Sequence, residues 1–347
     1  MSKKHRIVSL DFVRAFACIC IMITHFSAVV AGWTNGSYAY PNLIIPSYYF
    51  GNKVYIGGIG VSIFFMLTGA SLMLSYKEGN LPLYYKKRFL SIYPMFWIVF
   101  VIASVVDFLY FKTLGSPDLR LLPFSIVGMD GYLGAMGLIP FGFYKVGEWF
   151  LGCIICLYIL FPLLHYCFAR KPILTMLGVM AIYIAAMYGI YGLGMKSNGT
   201  EFYLKFPELL LGMCLVRYNL VSKPNKVLLT AAVAAVLAVA TKNFVSSPTL
   251  TTLVSIGIGG VVFWIAEKIR CNFIQKLMTK IAALSYPVYL IHHWLINRMV
   301  TGFNLMGLPR RDLYMLFGTY VIVCFLLAIW VTNLTKNILQ FFKKAEQ

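Results

Sequence analysis

The feature that most limits the fold is the recurrence of long apolar runs from one end of the chain to the other. Ten of them occupy roughly residues 7–31, 55–76, 89–111, 146–168, 173–194, 202–216, 227–241, 249–266, 282–300 and 313–335. A helix needs about 20 mainly apolar residues to cross a bilayer, and some of these runs are shorter. A soluble domain hides one core and keeps about a quarter of its residues charged. This 347-residue chain is 60% hydrophobic and 12% charged, with a mean hydropathy of +0.79. The expected class is all-α: a polytopic membrane helix bundle of about ten transmembrane helices, forming one domain over residues 1–347.

The net charge of +19 would suggest nucleic acid in a soluble protein, but its distribution says otherwise. With the N-terminus inside, 19 of the 30 Lys and Arg fall on inner segments. Ten fall on outer loops and span ends, and Arg14 lies within the membrane. That bias follows the positive-inside rule, and an even number of spans puts both termini in the cytoplasm. The basic charge therefore faces membrane lipids, and no nucleic-acid partner is expected. Seven of the eight cysteines lie in apolar runs at irregular spacing, as small packing residues do. Segment 121–144 is apolar but broken by Gly and Pro, which reads as a re-entrant or interfacial element. The first run has the flanks of a cleavable signal, but Asp11 and Arg14 would spoil its apolar centre, so it is expected to be retained.

That first run, "IVSLDFVRAFACICIMITHFSAVVAG", carries three ionisable groups where a bilayer penalises them, at about 2.5–3.5 kcal/mol each. Arg14 and His25 are eleven residues apart, so they share one helix face about 16 Å apart along the axis. Asp11 lies one turn before Arg14, where the two can pair. A structural ion pair with a core histidine would give the same pattern. A polar stripe aimed into the bundle is the functional alternative, because an imidazole can take and return a proton near neutral pH.

Motifs then follow one another in an order that resembles the acyltransferase-3 family of integral membrane acyltransferases. "LDFVRAFACICIMITH" is similar to its first-helix signature, "GGIGVSIFFMLTGASLMLS" to its Gly-rich second helix, and "YYKKRFLSIYPMFW" to its basic loop. "EWFLGCIICLYILFPLL", "FPELLLGMCLVRY" and "LSYPVYLIHHWL" resemble later helices, so the likeness covers nearly the whole chain. It implies about ten helices and an acyl group, commonly acetyl, moved from acyl-CoA to a hydroxyl on a surface glycan or lipid-linked sugar. It carries the family's essential pair onto Arg14 and His25, and the first basic residue of its loop motif onto Arg88. Ser91 stands where the family has a second arginine. Ile154 stands where longer, two-domain members have an acidic residue, which places this chain nearer the short branch and leaves Glu148 without an assigned role.

The expected site therefore comprises Asp11, Arg14, His25 and His292 for catalysis, with Lys86, Lys87 and Arg88 meeting the CoA phosphates. His25 acts as base or as acyl carrier. His292, near mid-membrane, either borders the same cavity or bonds a neighbouring helix, and Glu208 and Tyr286 support packing. No resident cofactor or metal is expected; acyl-CoA, with acetyl-CoA the expected form, is a donor substrate. The expected location is the cell membrane, a bacterial plasma membrane. The competing reading is a lipid-linked sugar flippase or a polysaccharide-assembly membrane protein, although the sequence shows no pair of related halves.

Overall fold

The structure is a computed structural model that describes residues 6–33, 48–112, 118–143, 146–192, 199–301 and 308–345. Its elements, in chain order, begin with α1 (Val8–Trp33), a small antiparallel hairpin of β1 (Tyr48–Tyr49) and β2 (Val54–Tyr55), α2 (Ile56–Ser75) and α3 (Leu81–Phe111). Two short helices, α4 (Leu122–Ile126) and α5 (Asp130–Ala135), precede α6 (Glu148–Arg170) and α7 (Pro172–Gly192). Then come α8 (Phe206–Arg217), α9 (Pro224–Thr241), α10 (Ser247–Lys268), α11 (Asn272–Ala283), α12 (Ser285–Thr301) and α13 (Arg310–Ala345).

Among the described residues, seven helices are long and apolar enough to cross a membrane: α1, α2, α3, α6, α9, α10 and α13. This supports a helical integral membrane protein, with a smaller set of clear spans than the ten runs suggest. Run 173–194 forms α7, whose side chains are described over only part of its length. Run 202–216 splits into a 3-10 turn (Phe202–Lys205) and the 12-residue α8, and run 282–300 yields the 17-residue α12. Twelve residues rise only about 18 Å, well short of a bilayer core. Segment 121–144 breaks into helices of 5 and 6 residues, neither of which crosses.

The third span starts earlier than the hydropathy suggests. Asn80 caps α3 by accepting from the Leu83 N–H at 2.9 Å, and Pro82 sits in the first turn, where its missing N–H costs nothing. Lys86, Lys87 and Arg88 are thereby helical, not part of a loop before residue 89. Between the apolar runs 249–266 and 282–300 lies most of α11. Phe273, Ile274 and Leu277 are exposed on it, as are Lys276 and Lys280.

The chain divides into two compact units. Unit 1 comprises residues 1–71 and 211–327, and its core gathers Val13, Ala17, Ile59, Ile63, Leu250 and Phe263 from α1, α2 and α10. Small residues set its closest contacts. Ala231, Ala234 and Ala238 are buried on α9, and a Cβ added at Gly260 of α10 would meet the Ala231 Cβ at 2.7 Å. The tightest approach is at Gly212 of α8, where a Cβ would lie 1.8 Å from the Met66 carbonyl oxygen of α2. Because that neighbour is backbone, neither helix can yield locally. Gly212→Ala is therefore expected to lower the unfolding temperature of the detergent-purified protein by a margin equivalent to at least about 1–3 kcal/mol. An unchanged melting curve would contradict this helix contact.

Unit 2 comprises residues 72–210 and 328–347. Here Gly152 of α6 accommodates Tyr132 of α5, whose Cβ would sit 2.4 Å from an added Cβ, and the Tyr132 hydroxyl accepts from the Phe202 N–H at 3.1 Å. Tyr84 and Tyr85 of α3 donate to the carbonyls of Tyr158 and Ile159 on α6 at 2.9 and 3.0 Å. The paired tyrosines hold the start of α3 against the middle of α6.

Candidate active site

Within unit 1, the polar stripe of α1 faces other helices. Asp11 is buried, and its carboxylate takes two arginines: Arg6, in direct contact, and Arg14, at 3.6 Å. Arg6 also donates to the Thr279 carbonyl of α11 at 3.1 Å. Arg14 donates to Ser71 Oγ of α2 at 3.1 Å and keeps 27% of its side chain exposed. Burial of a carboxylate is tolerable only with partners of this kind. Asp11 thus fixes the guanidinium of Arg14 from within α1, while Ser71 does so from α2.

About three turns further along α1, the His25 ring lies against α12. Its centroid is 4.8 Å from that of His292, edge to face at 77°, and 4.7 Å from that of His293. His292 is fully buried, and its Nδ1 lies 2.8 Å from the Tyr289 carbonyl oxygen. A carbonyl can only accept, so Nδ1 carries the hydrogen and neutral His292 presents Nε2 as its acceptor. His292 bonds its own helix through one nitrogen, not a neighbouring one, and sits against His25 with its ring. His293 belongs to the same imidazole group and was not singled out by the sequence. The "HH" dipeptide is legible, but the side that meets α1 depends on how α1 and α12 pack. Tyr286 stacks on Tyr289 within α12 at 6.4 Å between centroids, one layer away from these rings.

In unit 2, the basic tripeptide divides into unlike parts. Lys86 and Lys87 are exposed, whereas Arg88 is half-buried. The Arg88 guanidinium lies over the rings of Tyr84 and Tyr158, at 5.7 and 5.5 Å from their centroids. Its Nε is buried without a hydrogen-bond partner among the described residues. Ser91, in place of a second arginine, donates to the Arg88 carbonyl at 2.8 Å, so it is occupied within its own helix. Nearby in sequence, Glu78 meets His165 Nδ1 at 3.4 Å and Arg170 at 3.6 Å. Burial, with Glu78 adding to it, pushes the Tyr76 phenol above its ordinary range, so it stays a neutral ring against His165 at 4.7 Å. A guanidinium braced by two aromatic faces is suited to an incoming phosphate, because it binds by a planar fork.

Glu148 opens α6, and Glu208 is buried in α8. Cys18, Cys20, Cys153 and Cys324 are buried, Cys156 and Cys214 are half-buried, and Cys167 and Cys271 are exposed; all eight are free thiols.

Comparison with known proteins adds a chemical frame to this geometry. Residues 7–334 match the Acyl_transf_3 family, described as an acyltransferase domain. The chain is also similar to the acyltransferase MdmB of Streptomyces mycarofaciens, with 29% identity over 126 residues. That match covers 34% of this chain and 31% of MdmB, so the chain spans about a third of the length of this relative. No solved structure matches.

Proposed function

This chain belongs to the acyltransferase-3 family, and from that premise we propose that it moves an acyl group, expected to be acetyl, from cytoplasmic acyl-CoA to a hydroxyl of a cell-surface or lipid-linked glycan. Membership makes it an acyl-transferring enzyme, and its long apolar helices make it an integral membrane protein. A flippase would have no reason to bind acyl-CoA. The proposed setting is a bacterial plasma membrane with both termini in the cytoplasm.

The observation that carries the reading is His25 held against a second, buried imidazole. In the base form of the mechanism, His25 removes the proton of the acceptor hydroxyl. The oxygen attacks the thioester carbonyl carbon, a C–O bond forms and the C–S bond breaks. The proton then passes from His25 to the departing CoA thiolate, which regenerates neutral imidazole. In the acyl-carrier form, a neutral His25 nitrogen attacks the thioester, the C–N bond forms as the C–S bond breaks and CoA leaves as thiolate. The acceptor hydroxyl then attacks, the C–O bond forms as the C–N bond breaks, and its proton passes to the CoA thiolate. In either form His292, as a neutral acceptor, supports the cationic stage of the His25 ring. Arg14, held by Asp11 and Ser71, contributes positive charge one half-membrane away along α1. Arg88, with Lys86 and Lys87 outside it, draws in the CoA phosphates.

The test uses purified protein, radiolabelled acetyl-CoA and a glycan-bearing membrane fraction. Label is expected in the glycan, and acetyl-CoA at about 100 times its Kd should stabilise the fold by roughly 2.7 kcal/mol in thermal unfolding. Absence of both stabilisation and label would overturn the proposed donor and acceptor.

A further inference from the structure

Unit 1 contains a cleft that the acyl-transfer reading does not use. It lies between α1, α2, α8, α9 and α10, has a cavity volume of about 120 Å³ and is open in part to its surroundings. Its walls are apolar, with Val13, Ile63, Leu215, Val227 and Phe263 among them. The two hydroxyls on the lining are turned back into their own helices: Thr230 donates to the Lys226 carbonyl at 2.9 Å, and Ser255 to that of Thr251 at 2.6 Å. Nothing in the walls asks for a polar ligand. At about 10–15 Å³ of such volume per water-sized group, the space takes roughly ten groups in a row, a stretch of one alkyl chain.

The helix ends that bound this cleft are basic. Arg217 follows Leu215 by two residues, Lys223 caps α9, Lys226 precedes Val227, and Lys268 closes α10 five residues after Phe263. Lys223, Lys226 and Lys268 are exposed. An alkyl chain gains little by leaving one apolar surrounding for another, so selectivity falls to whatever head group meets these cations. A long-chain acyl-CoA has the right ends in the wrong order. With its tail in this cleft, its thioester would lie at the basic rim, near the Leu10–Val13 end of α1. His25 is 12 residues beyond Val13, about 18 Å along the helix.

We propose that the cleft holds one acyl chain of an anionic phospholipid, whose phosphate head group meets the basic ends of α8, α9 and α10. The lipid is a bound companion of α1 and not a substrate, and it seats the stretch of helix that carries Asp11 and Arg14.

The test uses the full chain, delipidated in detergent, with phosphatidylglycerol, phosphatidylcholine of the same chains, and palmitoyl-CoA as probes. Native mass spectrometry is expected to show about one phosphatidylglycerol retained at least tenfold more than phosphatidylcholine. Combining Lys223→Gln and Lys226→Gln should bring that preference down severalfold. Gly259→Leu should cut retention about tenfold, because a Cβ there meets only Cδ1 and Cγ1 of Ile63 at 3.5 Å and the longer side chain enters the cleft. A parallel arm needs no variant: phosphatidylglycerol with a photoreactive group at the tail end should label α8, α9 or α10 at lining residues such as Cys214 or Thr230. Equal retention of phosphatidylcholine, displacement by palmitoyl-CoA at lower concentration than phosphatidylglycerol, or labelling that avoids the lining would each overturn the proposal.

Discussion

Replacing His25 with alanine is expected to lower acyl transfer by roughly 10²–10⁴-fold, the range that a positioned acid–base group contributes. The loss should appear in kcat, with the requirement for acyl-CoA little changed, because the donor phosphates are assigned to Arg88 and not to the imidazole. The fold should tolerate the change: His25 is only half-buried, and the His292 ring that it meets in unit 1 has its own backbone anchor. Rates in membranes, together with a melting curve of the purified variant, separate lost chemistry from lost structure. His292→Ala should cost less activity than His25→Ala but more stability, since it empties a fully buried site.

The second large effect is expected at Arg88. Truncation to alanine removes a charge-assisted contact of about 1.5–3 kcal/mol to a phosphate, so the KM for acyl-CoA should rise roughly ten- to hundredfold while kcat at saturation stays near the parental value. Lys86→Ala and Lys87→Ala should each shift KM by less than about threefold, because both lysines are exposed and act through a screened field. Arg88→Lys should not restore the parental KM, since an ammonium lacks the planar fork that lies between Tyr84 and Tyr158. Equal effects at all three positions would show that the tripeptide acts only as bulk positive charge.

What could be read in the sequence was what depends on one helix at a time. The periodicity of α1 put Asp11, Arg14 and His25 on one face, and the spacing of Asp11 and Arg14 implied their pairing. The early start of α3 is also encoded locally, in Asn80 and Pro82, but the apolar run begins only at residue 89 because Lys86, Lys87 and Arg88 lower the average hydropathy. What could not be read depends on contacts between distant segments. Ser71 receives Arg14 across 57 residues, Arg6 reaches Thr279 across 273, and His25 meets rings 267 and 268 positions later. Tyr158 is one apolar-run residue among many until α6 packs on α3 beneath Arg88. The apolar runs at 202–216 and 282–300 differ from the helices formed there for a related reason: hydropathy counts composition, whereas helix bounds depend on where the backbone breaks.

The measurement closest to the central claim is acyl transfer by folded His25→Gly protein with and without added imidazole. An imidazole ring at this position that handles the proton or the acyl group predicts near-background transfer in its absence and a dose-dependent gain when free imidazole is supplied. Transfer at the parental rate by the variant without imidazole would contradict the account.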